Sequence, residues 1–229
     1  MVPSVLGGEA QALNRDVLAT LADYAFLPRA AAIEVGGLQT RTLWVKAGNL
    51  VGTGSSFNDD RLGEVLALQG KLDAAFIKPI GDAAQAQGRR LGELLCEDKL
   101  LTPQELATAL DDQAQMVFVR ALGTSGPSRV ITPERGPFHP INRPLAALVF
   151  EAFRSTLPLA AVRDVLAKNT ANGKLIATPV QMQQLALRPA ELRQVRELER
   201  VPVKPASLAH GSESLARLLA GLVALKLLD

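Results

Sequence analysis

Two stretches of the chain repeat one motif: Arg61-Leu62-Gly63-Glu64-Val65-Leu66 and Arg90-Leu91-Gly92-Glu93-Leu94-Leu95. They are offset by 29 residues, and a second helical pattern follows each of them. A fixed internal period of this kind indicates a structural repeat. Each repeat predicts a short helix, a turn and a longer helix, over about residues 59–87 and 88–122. We expect the two repeats to pack as a small helical bundle.

The second repeat also carries a strong signal for the start of its long helix. Thr102 is followed by Pro103 and then, three residues after Thr102, by Glu105. In this arrangement the Thr side chain accepts from a backbone N–H of the first turn, while the Glu side chain bonds back to the cap residue. Proline suits the first helical position. The long helix is therefore predicted to begin at Pro103 and to continue to about Leu122.

Ahead of the repeats, the hydrophobic period changes from that of a helix to that of strands. Asn14 is predicted to cap a helix that runs from residue 15 to about residue 26. Residues 31–54 then alternate between apolar and polar positions, with glycine-containing turns between the runs. This pattern predicts a small antiparallel sheet behind the helix, with Trp44 in the core beneath that helix.

Helical patterns dominate the rest of the chain after a short strand expected at residues 129–131. A linker is expected at residues 168–174, where Asn and Gly residues break the period. Helices are predicted at about residues 145–154, 158–167, 180–186, 189–199 and 213–225.

The predicted fold class is therefore α+β and predominantly helical. A small antiparallel sheet and a helical bundle with tandem repeats form a first domain over residues 1–168. Residues 176–229 form a small C-terminal module that is helical or winged-helix-like.

Composition narrows the class of protein further. Hydrophobic residues make up 48% and charged residues 21% of the 229 residues, which excludes a wholly disordered chain. The one cysteine, Cys96, excludes an internal disulfide and fits a reducing cytoplasm. The longest apolar run, residues 215–228, is too short for a bilayer and is interrupted by Arg217 and Lys226. We therefore predict a cytoplasmic protein without membrane insertion.

The two halves of the chain carry opposite charge. Residues 1–114 hold 10 basic and 15 acidic residues, a net charge of −5, whereas residues 115–229 hold 15 basic and 8 acidic residues, a net charge of +7. Four arginines recur along one predicted helix of the basic half, and they would suit DNA phosphates: Arg188, Arg193, Arg196 and Arg200. The Glu residues between them favour a salt-bridged solvent face instead, so nucleic acid is not the expected partner.

No pattern predicts catalysis, a metal site or a cofactor. His139 and His210 have no second ligand residue at a metal-binding spacing. The glycine-rich residues 52–56 lack the lysine of a nucleotide-triphosphate loop. We therefore expect a protein that is not an enzyme.

The order of these motifs resembles the PATAN (PatA amino-terminal) domain, a bacterial domain of unknown function. The resemblance covers about residues 13–154 and rests on the Val45-Lys46-Ala47-Gly48-Asn49-Leu50-Val51 turn, the two Leu-Gly motifs, and the helix beginning Pro144-Leu145-Ala146. It implies a non-enzymatic adaptor that acts through protein–protein interaction in bacterial signalling, motility or surface-machinery control.

The repeats are also similar to the amino-terminal domain of type II secretion and type IV pilus ATPases, some of which bind cyclic di-GMP. The resemblance implies a ligand site at Arg61, Leu62, Gly63, Gly70, Arg90, Leu91, Gly92 and Gln113. Ala84 stands where the first repeat would close with Gln, and Lys99 stands at the mid-repeat Gly position of the second. A cyclic di-GMP sensor using Arg61 and Arg90 is therefore the alternative to the adaptor, and a DNA-binding regulator is the second alternative.

The last predicted helix offers a face for a protein partner or a homodimer. Its apolar residues recur at helical spacing: Leu215, Leu218, Leu219, Leu222 and Leu225. We expect this face either to be the core of the last module or to be exposed for interaction.

Overall fold

A computed structural model describes residues 13–132, 136–137, 139–169, 173–201, 203–208 and 211–228. Over these ranges the chain is α+β and predominantly helical, which confirms the predicted fold class. His210 lies outside the described residues.

In the part of the chain that the structure describes, the sheet has five antiparallel strands in the order β4-β1-β2-β3-β5. They are β1 (Ala30–Gly36), β2 (Thr40–Lys46), β3 (Asn49–Ser55), β4 (Ser128–Ile131) and β5 (Arg143–Pro144). The three central strands are those predicted from residues 31–54. The strand predicted at residues 129–131 is β4, and it forms one edge of the sheet beside β1.

The first helix, α1 (Arg15–Ala25), covers one face of the sheet, which we call the inner face. Asn14 caps it as predicted, because its side chain accepts a hydrogen bond from the Val17 N–H at 3.2 Å. Val17 and Leu21 are fully buried in the same hydrophobic core as Ile33 of β1. The amphipathic period of α1 thus buries its apolar side against the sheet.

The two repeats form four helices: α2 (Leu62–Leu68), α3 (Ala74–Ala86), α4 (Leu91–Glu97) and α5 (Pro103–Gly123). The turns between the short and long helices match residue for residue. Gly70 and Lys99, offset by 29, both have a positive φ, +67° and +57°. The next N–H in each turn donates to an equivalent carbonyl at 2.9 Å, Lys71 to Leu66 and Leu100 to Leu95.

The two glycines of the Leu-Gly motifs let the helices of each repeat pack closely. A Cβ added to Gly63 would lie 2.7 Å from Cγ2 of Ile77, and one added to Gly92 would lie 2.8 Å from Cδ1 of Leu106. Each glycine also receives the leucine of the other repeat, Leu91 over Gly63 and Leu62 over Gly92, both at 3.4 Å from the added Cβ. The two repeats therefore contact each other reciprocally through the same two positions of their motifs.

The remaining helices complete the main body of the protein. They are α6 (Leu145–Glu151), α7 (Leu159–Ala167), α8 (Pro179–Gln184), α9 (Pro189–Arg200) and α10 (Glu213–Ala224). A π-helical turn, Ala152–Thr156, continues α6, so the helix predicted at residues 145–154 changes its period near its end. Leu175 and Leu228 pair in an isolated antiparallel bridge.

Two hydrophobic cores hold the described residues together, and they do not follow the predicted division at residues 168–176. The main core is continuous from Val17 to Leu228 and includes side chains of α7 and of α10. The second core lies inside the repeats and is formed by Leu66, Leu95, Leu101 and Ala109. Residues 176–229 therefore contribute to the main core rather than enclosing a core of their own.

Of the two alternatives for the apolar face of the last helix, core or exposed interaction surface, the structure shows the core. Leu218, Leu219, Leu222 and Leu225 are at most 2% exposed, and Leu215 is partly buried. The helix packs on α7, α6 and the π-helical turn. Gly221 makes this possible, because a Cβ there would lie 2.7 Å from the Phe150 ring. The leucines are core residues because the main body covers them.

Trp44 is not beneath α1, contrary to the prediction. Side chains alternate along β2, so Leu43 and Val45 lie on the inner face. Trp44 therefore lies on the opposite face, which we call the outer face. There it is half-buried and lies over Gly54, whose added Cβ would be 2.9 Å from the Trp44 ring. The prediction chose the wrong phase of the alternation.

Over the described ranges, no single helix has both the length and the apolar character that crossing a membrane requires. One pair of helices, Leu145–Thr156 and Leu159–Ala167, meets the criteria only when taken together, and it is bent by 118°.

Two glycine-to-alanine changes should affect the free energy of unfolding in opposite directions, because Gly63 contacts Ile77 and Gly81 has open space around it. Gly63→Ala should lower the free energy of unfolding by about 1–2 kcal/mol, because the β-branched Ile77 cannot move its methyl group away freely. Gly81→Ala in α3 should raise it by about 0.5–1 kcal/mol, because an added Cβ there has no neighbour within 4 Å and alanine favours the helix. Urea denaturation measures both changes. Equal effects would contradict the packing role of Gly63.

Candidate functional site

A fully buried carboxylate, Asp60, lies where the sheet meets the repeats. It ends a 3₁₀ turn, Asn58–Asp60, and only Arg61 separates it from the start of α2. Arg41 of β2 donates from Nε to Oδ2 at 2.7 Å, and Arg120 of α5 donates from Nη1 to Oδ1 at 2.7 Å. Ser55 at the end of β3 donates to Oδ2 at 2.5 Å. One side chain therefore binds two strands and α5.

Further hydrogen bonds complete this cluster. Arg41 donates from Nη1 to Oγ1 of Thr124 at 2.6 Å, and its guanidinium lies 3.9 Å from the centre of the Phe57 ring. Gln113 of α5 donates from Nε2 to the Asp60 carbonyl at 2.7 Å. The cluster has two guanidinium groups for one carboxylate, so its net charge is positive.

The charge state of Asp60 follows from these contacts. Burial opposes ionisation, but the hydrogen bonds from Arg41, Ser55 and Arg120 outweigh it and hold the pKa of the carboxyl below its usual range. Asp60 is therefore ionised at neutral pH, as a carboxylate between two cations should be.

A cleft of about 240 Å³ opens beside this cluster. Its polar lining residues include Arg61, Gln113, His139 and Asp60, and its apolar ones include Leu110 and Val117. His139 lies 3.5 Å from Asp111, measured from Nε2 to Oδ1. The lining combines the Arg61 guanidinium with apolar side chains, and Arg41 and Arg120 neutralise the Asp60 carboxylate. Such a lining suits an anionic group joined to a flat or apolar part.

The structure brings together two of the eight residues that the ATPase resemblance assigns to a ligand. Arg61 and Gln113 both line the cleft, although they come from different repeats. Arg90 begins α4 and is not part of the cleft lining, and neither is Gly70 in its exposed turn.

The other four predicted ligand residues pack against other parts of the repeats. Gly63 and Gly92 are buried and are covered by side chains, so a ligand cannot approach their backbone there. Leu62 and Leu91 are partly buried against the core of the repeats. Side chains fill the space beside Gly63 and Gly92, so the structure gives these two glycines a packing role. Ligand contact at Leu62 and Leu91 stays a prediction.

Sequence reasoning missed Asp60, Arg41 and Arg120. One signal was available: Arg41 shares the phase of Leu43 and Val45 in β2, so alternation places a charged side chain on the buried inner face. A buried arginine needs an ionised partner, and Asp60 supplies it. Which acidic residue would do so depends on the tertiary fold.

A second feature is an apolar surface on α3. Five exposed side chains lie within an arc of about 100° around its axis. They are Ala75, Phe76, Pro79, Ala83 and Ala86, and we call them the α3 outward face. Phe76 is 57% exposed. The opposite side of the helix holds Ala84, the one residue of α3 that is buried.

The second repeat provides an internal comparison for this surface. At the five equivalent positions, 29 residues later, α5 carries Gln104, Glu105, Thr108, Asp112 and Gln115. All five are polar: three are exposed, and Asp112 and Gln115 are half-buried and accept hydrogen bonds from Gln69 and Arg143. At the end of the short helix, exposed Leu68 likewise corresponds to exposed Glu97. The repeat fold therefore does not require apolar side chains on the outward side of its long helix.

Phe76 occupies the position at which the second repeat has a helix-capping residue. In α5 the equivalent Glu105 closes a capping box with Thr102, because its carboxylate accepts from the Thr102 N–H at 2.8 Å. In α3 the cap is Asp73 alone, which accepts from the Ala75 N–H at 2.9 Å. The first repeat thus carries an exposed aromatic ring where the second carries a stabilising carboxylate.

Among the described residues, no group of three or more His, Cys, Asp or Glu side chains is placed to hold a metal ion.

The Asp60 cluster predicts a large and pH-dependent effect of Asp60→Asn. Loss of the charge leaves Arg41 and Arg120 without an ionised partner, so the free energy of unfolding should fall by about 3 kcal/mol at pH 7. Because the pKa of Asp60 is lowered on folding, its contribution is complete above the unfolded-state pKa and is lost as the pH falls through the folded value. The variant should therefore differ less from the wild type as the pH falls below about 4.

Urea denaturation from pH 7 down to pH 3 measures this difference. Asp164→Asn is the matched control, because Asp164 pairs with Lys168 and Arg15 at the surface, where all three side chains are about half exposed. The control should cost less than about 1 kcal/mol at pH 7. A difference between the Asp60 variant and the wild type that grows on acidification would contradict the assignment.

No protein-family model matches the chain, and no curated protein or solved structure is similar enough to count as a match.

Proposed function

We propose that this protein is a non-enzymatic adaptor that acts through protein–protein contact, with the α3 outward face as its contact surface. The observation that carries the proposal is the contrast between the repeats: five apolar exposed residues on α3 stand where α5 has five polar ones. The resemblance to PATAN domains adds the expected setting, which is bacterial cytoplasmic signalling, motility or surface-machinery control.

Physical chemistry favours a contact role for this face. Exposed apolar side chains clustered on one surface typically mark an interaction site, whereas single ones need no explanation. Aromatic residues are also enriched where binding energy concentrates. Phe76 lies among small residues, which lets a partner side chain reach the helix backbone closely. The face therefore offers one large anchor and a shallow surface around it.

A cyclic di-GMP sensor remains the second candidate, and the convergence of Arg61 and Gln113 on one cleft favours it. A guanidinium pairs with phosphate, and the apolar lining residues Leu110 and Val117 suit a base. The cleft volume of about 240 Å³ is below the range of about 300–1,000 Å³ usual for ligand pockets, so it would hold one base and its phosphate rather than the whole dinucleotide.

The DNA-binding alternative has less support. On α9 the exposed Arg193, Arg196 and Arg200 are interspersed with exposed Glu197 and Glu199. Such mixed charge weakens attraction to a phosphate backbone, which depends on an excess of cations on one surface.

The adaptor proposal predicts that Phe76→Glu removes partner contact without unfolding the protein. Phe76 is exposed, so the change should leave the free energy of unfolding within about 0.5 kcal/mol of the wild type. Quantitative affinity capture from cells that express the protein should show specific partners that the variant no longer retains. Val180→Glu is the matched control, because Val180 is 64% exposed on α8, outside the face. Equal capture by all three proteins would contradict the proposal.

The sensor candidate predicts a thermal shift with cyclic di-GMP that depends on Arg61. A ligand at 100 times its dissociation constant stabilises a protein by about 2.7 kcal/mol, which raises the melting temperature by several degrees. Arg61→Ala should abolish the shift, whereas Arg193→Ala, an exposed arginine on α9, should keep it. A shift that survives Arg61→Ala would place the ligand elsewhere.

A further inference from the structure

We propose that the occupant of the α3 outward face is the same face of a second copy of this chain. The two α3 helices lie antiparallel, related by a two-fold axis at the level of Ile80. This inference rests on the proposed contact role of the face and names its partner. Its grounds are the distribution of size and of charge along α3.

Side-chain size along the face is self-complementary. Phe76, the one large residue, lies near the start of α3, and the small residues Ala83 and Ala86 lie near its end. In an antiparallel pair centred on Ile80, Phe76 of one chain is level with residue 84 of the other, between Ala83 and Ala86. Each chain thus places its ring against the small residues of the partner, and this happens twice by symmetry.

Charge along one flank of the face is self-complementary as well. Lys78 and Asp82 are exposed on the same side of the five apolar residues, and they form a pair at 3.0 Å within one chain. In antiparallel helices related by a two-fold axis, like flanks meet. Lys78 of one chain is then level with Asp82 of the other, because both lie two residues from Ile80.

This arrangement distinguishes the antiparallel pair from a parallel one. In a parallel pair related by a two-fold axis, unlike flanks meet, so the flank with Lys78 and Asp82 in one chain would face the flank with Ile80 in the other. The two charged flanks would then lie on opposite sides of the interface, and Lys78 would lose its contact with Asp82 of the second copy. Parallel helices would also set the two Phe76 rings against each other and leave Ala83 facing Ala83, with a gap between. Size and charge therefore select the same orientation.

The extent of the surface sets the expected strength. A helix of 13 residues is about 20 Å long. Two such helices packed along their length bury on the order of 1,000 Å² in total, which is at the low end for specific interfaces. We therefore expect a dimer that forms at micromolar rather than nanomolar concentration.

A charge-reversal experiment on the full chain tests the pairing. Lys78→Glu places a carboxylate opposite Asp82 of the second copy, and Asp82→Lys places an ammonium group opposite Lys78. Each variant alone should therefore dimerise roughly tenfold more weakly than the wild type, measured by sedimentation equilibrium. In an equimolar mixture of the two variants, the introduced carboxylate faces the introduced ammonium group, and the unchanged Asp82 of one chain faces the unchanged Lys78 of the other. The mixture should therefore recover the wild-type dissociation constant.

The mixture isolates the contact between chains. Both variants lose their pair within the chain, and mixing cannot restore that pair, so recovery reports the contact between chains alone. Phe76→Glu should leave a monomer, and Val180→Glu should dimerise as the wild type does. Circular dichroism melts of each variant establish that it is folded.

Three outcomes would overturn the inference. They are a wild-type chain that stays monomeric up to roughly 1 mM, a dimer that survives Phe76→Glu, and a mixture no tighter than either single variant. The adaptor proposal fails separately. If the wild type is monomeric but Phe76→Glu still loses captured proteins, the adaptor stands and the dimer falls. If the dimer forms but no captured protein depends on Phe76, the dimer stands and the adaptor falls.

Discussion

The buried carboxylate of Asp60 is the constraint on which the arrangement of the molecule depends. An ionised group without water must be surrounded by donors, and here the donors come from β2, the end of β3 and α5. Because Arg41 and Arg120 both bind it, neither strand nor helix can shift without leaving a buried charge unpaired. The carboxylate therefore fixes how the repeats join the sheet, which hydrophobic contacts alone would leave less sharply defined.

The parts of the fold that could be predicted from sequence are those set by local chemistry. Asn14 and Thr102 mark helix starts through hydrogen bonds to residues three positions away, and the period of 29 residues identifies the repeats. The Asp60 cluster could not be predicted, since its partners lie 19 and 60 residues away along the chain. The hydrophobic period predicts that α10 has an apolar face, but it does not show whether another part of the chain packs on that face.

The two repeats separate what the fold requires from what it permits. Both keep the glycine of the Leu-Gly motif, because the long helix of each repeat fills the space above it. Both keep a left-handed residue in the turn, although one uses Gly70 and the other Lys99. They differ on the outward side of the long helix. There α5 carries polar residues, of which Asp112 and Gln115 accept hydrogen bonds from Gln69 and Arg143, whereas α3 carries exposed apolar ones. Folding accounts for the polar residues of α5, but it does not account for an exposed Phe76.

The length of α5 has a mechanical consequence. Its first half contributes Ala109 to the small core of the repeats, and its second half contributes Phe118 and Leu122 to the main core. It runs for 21 residues, about 31 Å, without a proline beyond its first position. A continuous rod that belongs to both cores leaves no hinge between them. A force applied to the repeats is thus transmitted to the sheet through α5, because no flexible segment of this helix separates the two cores.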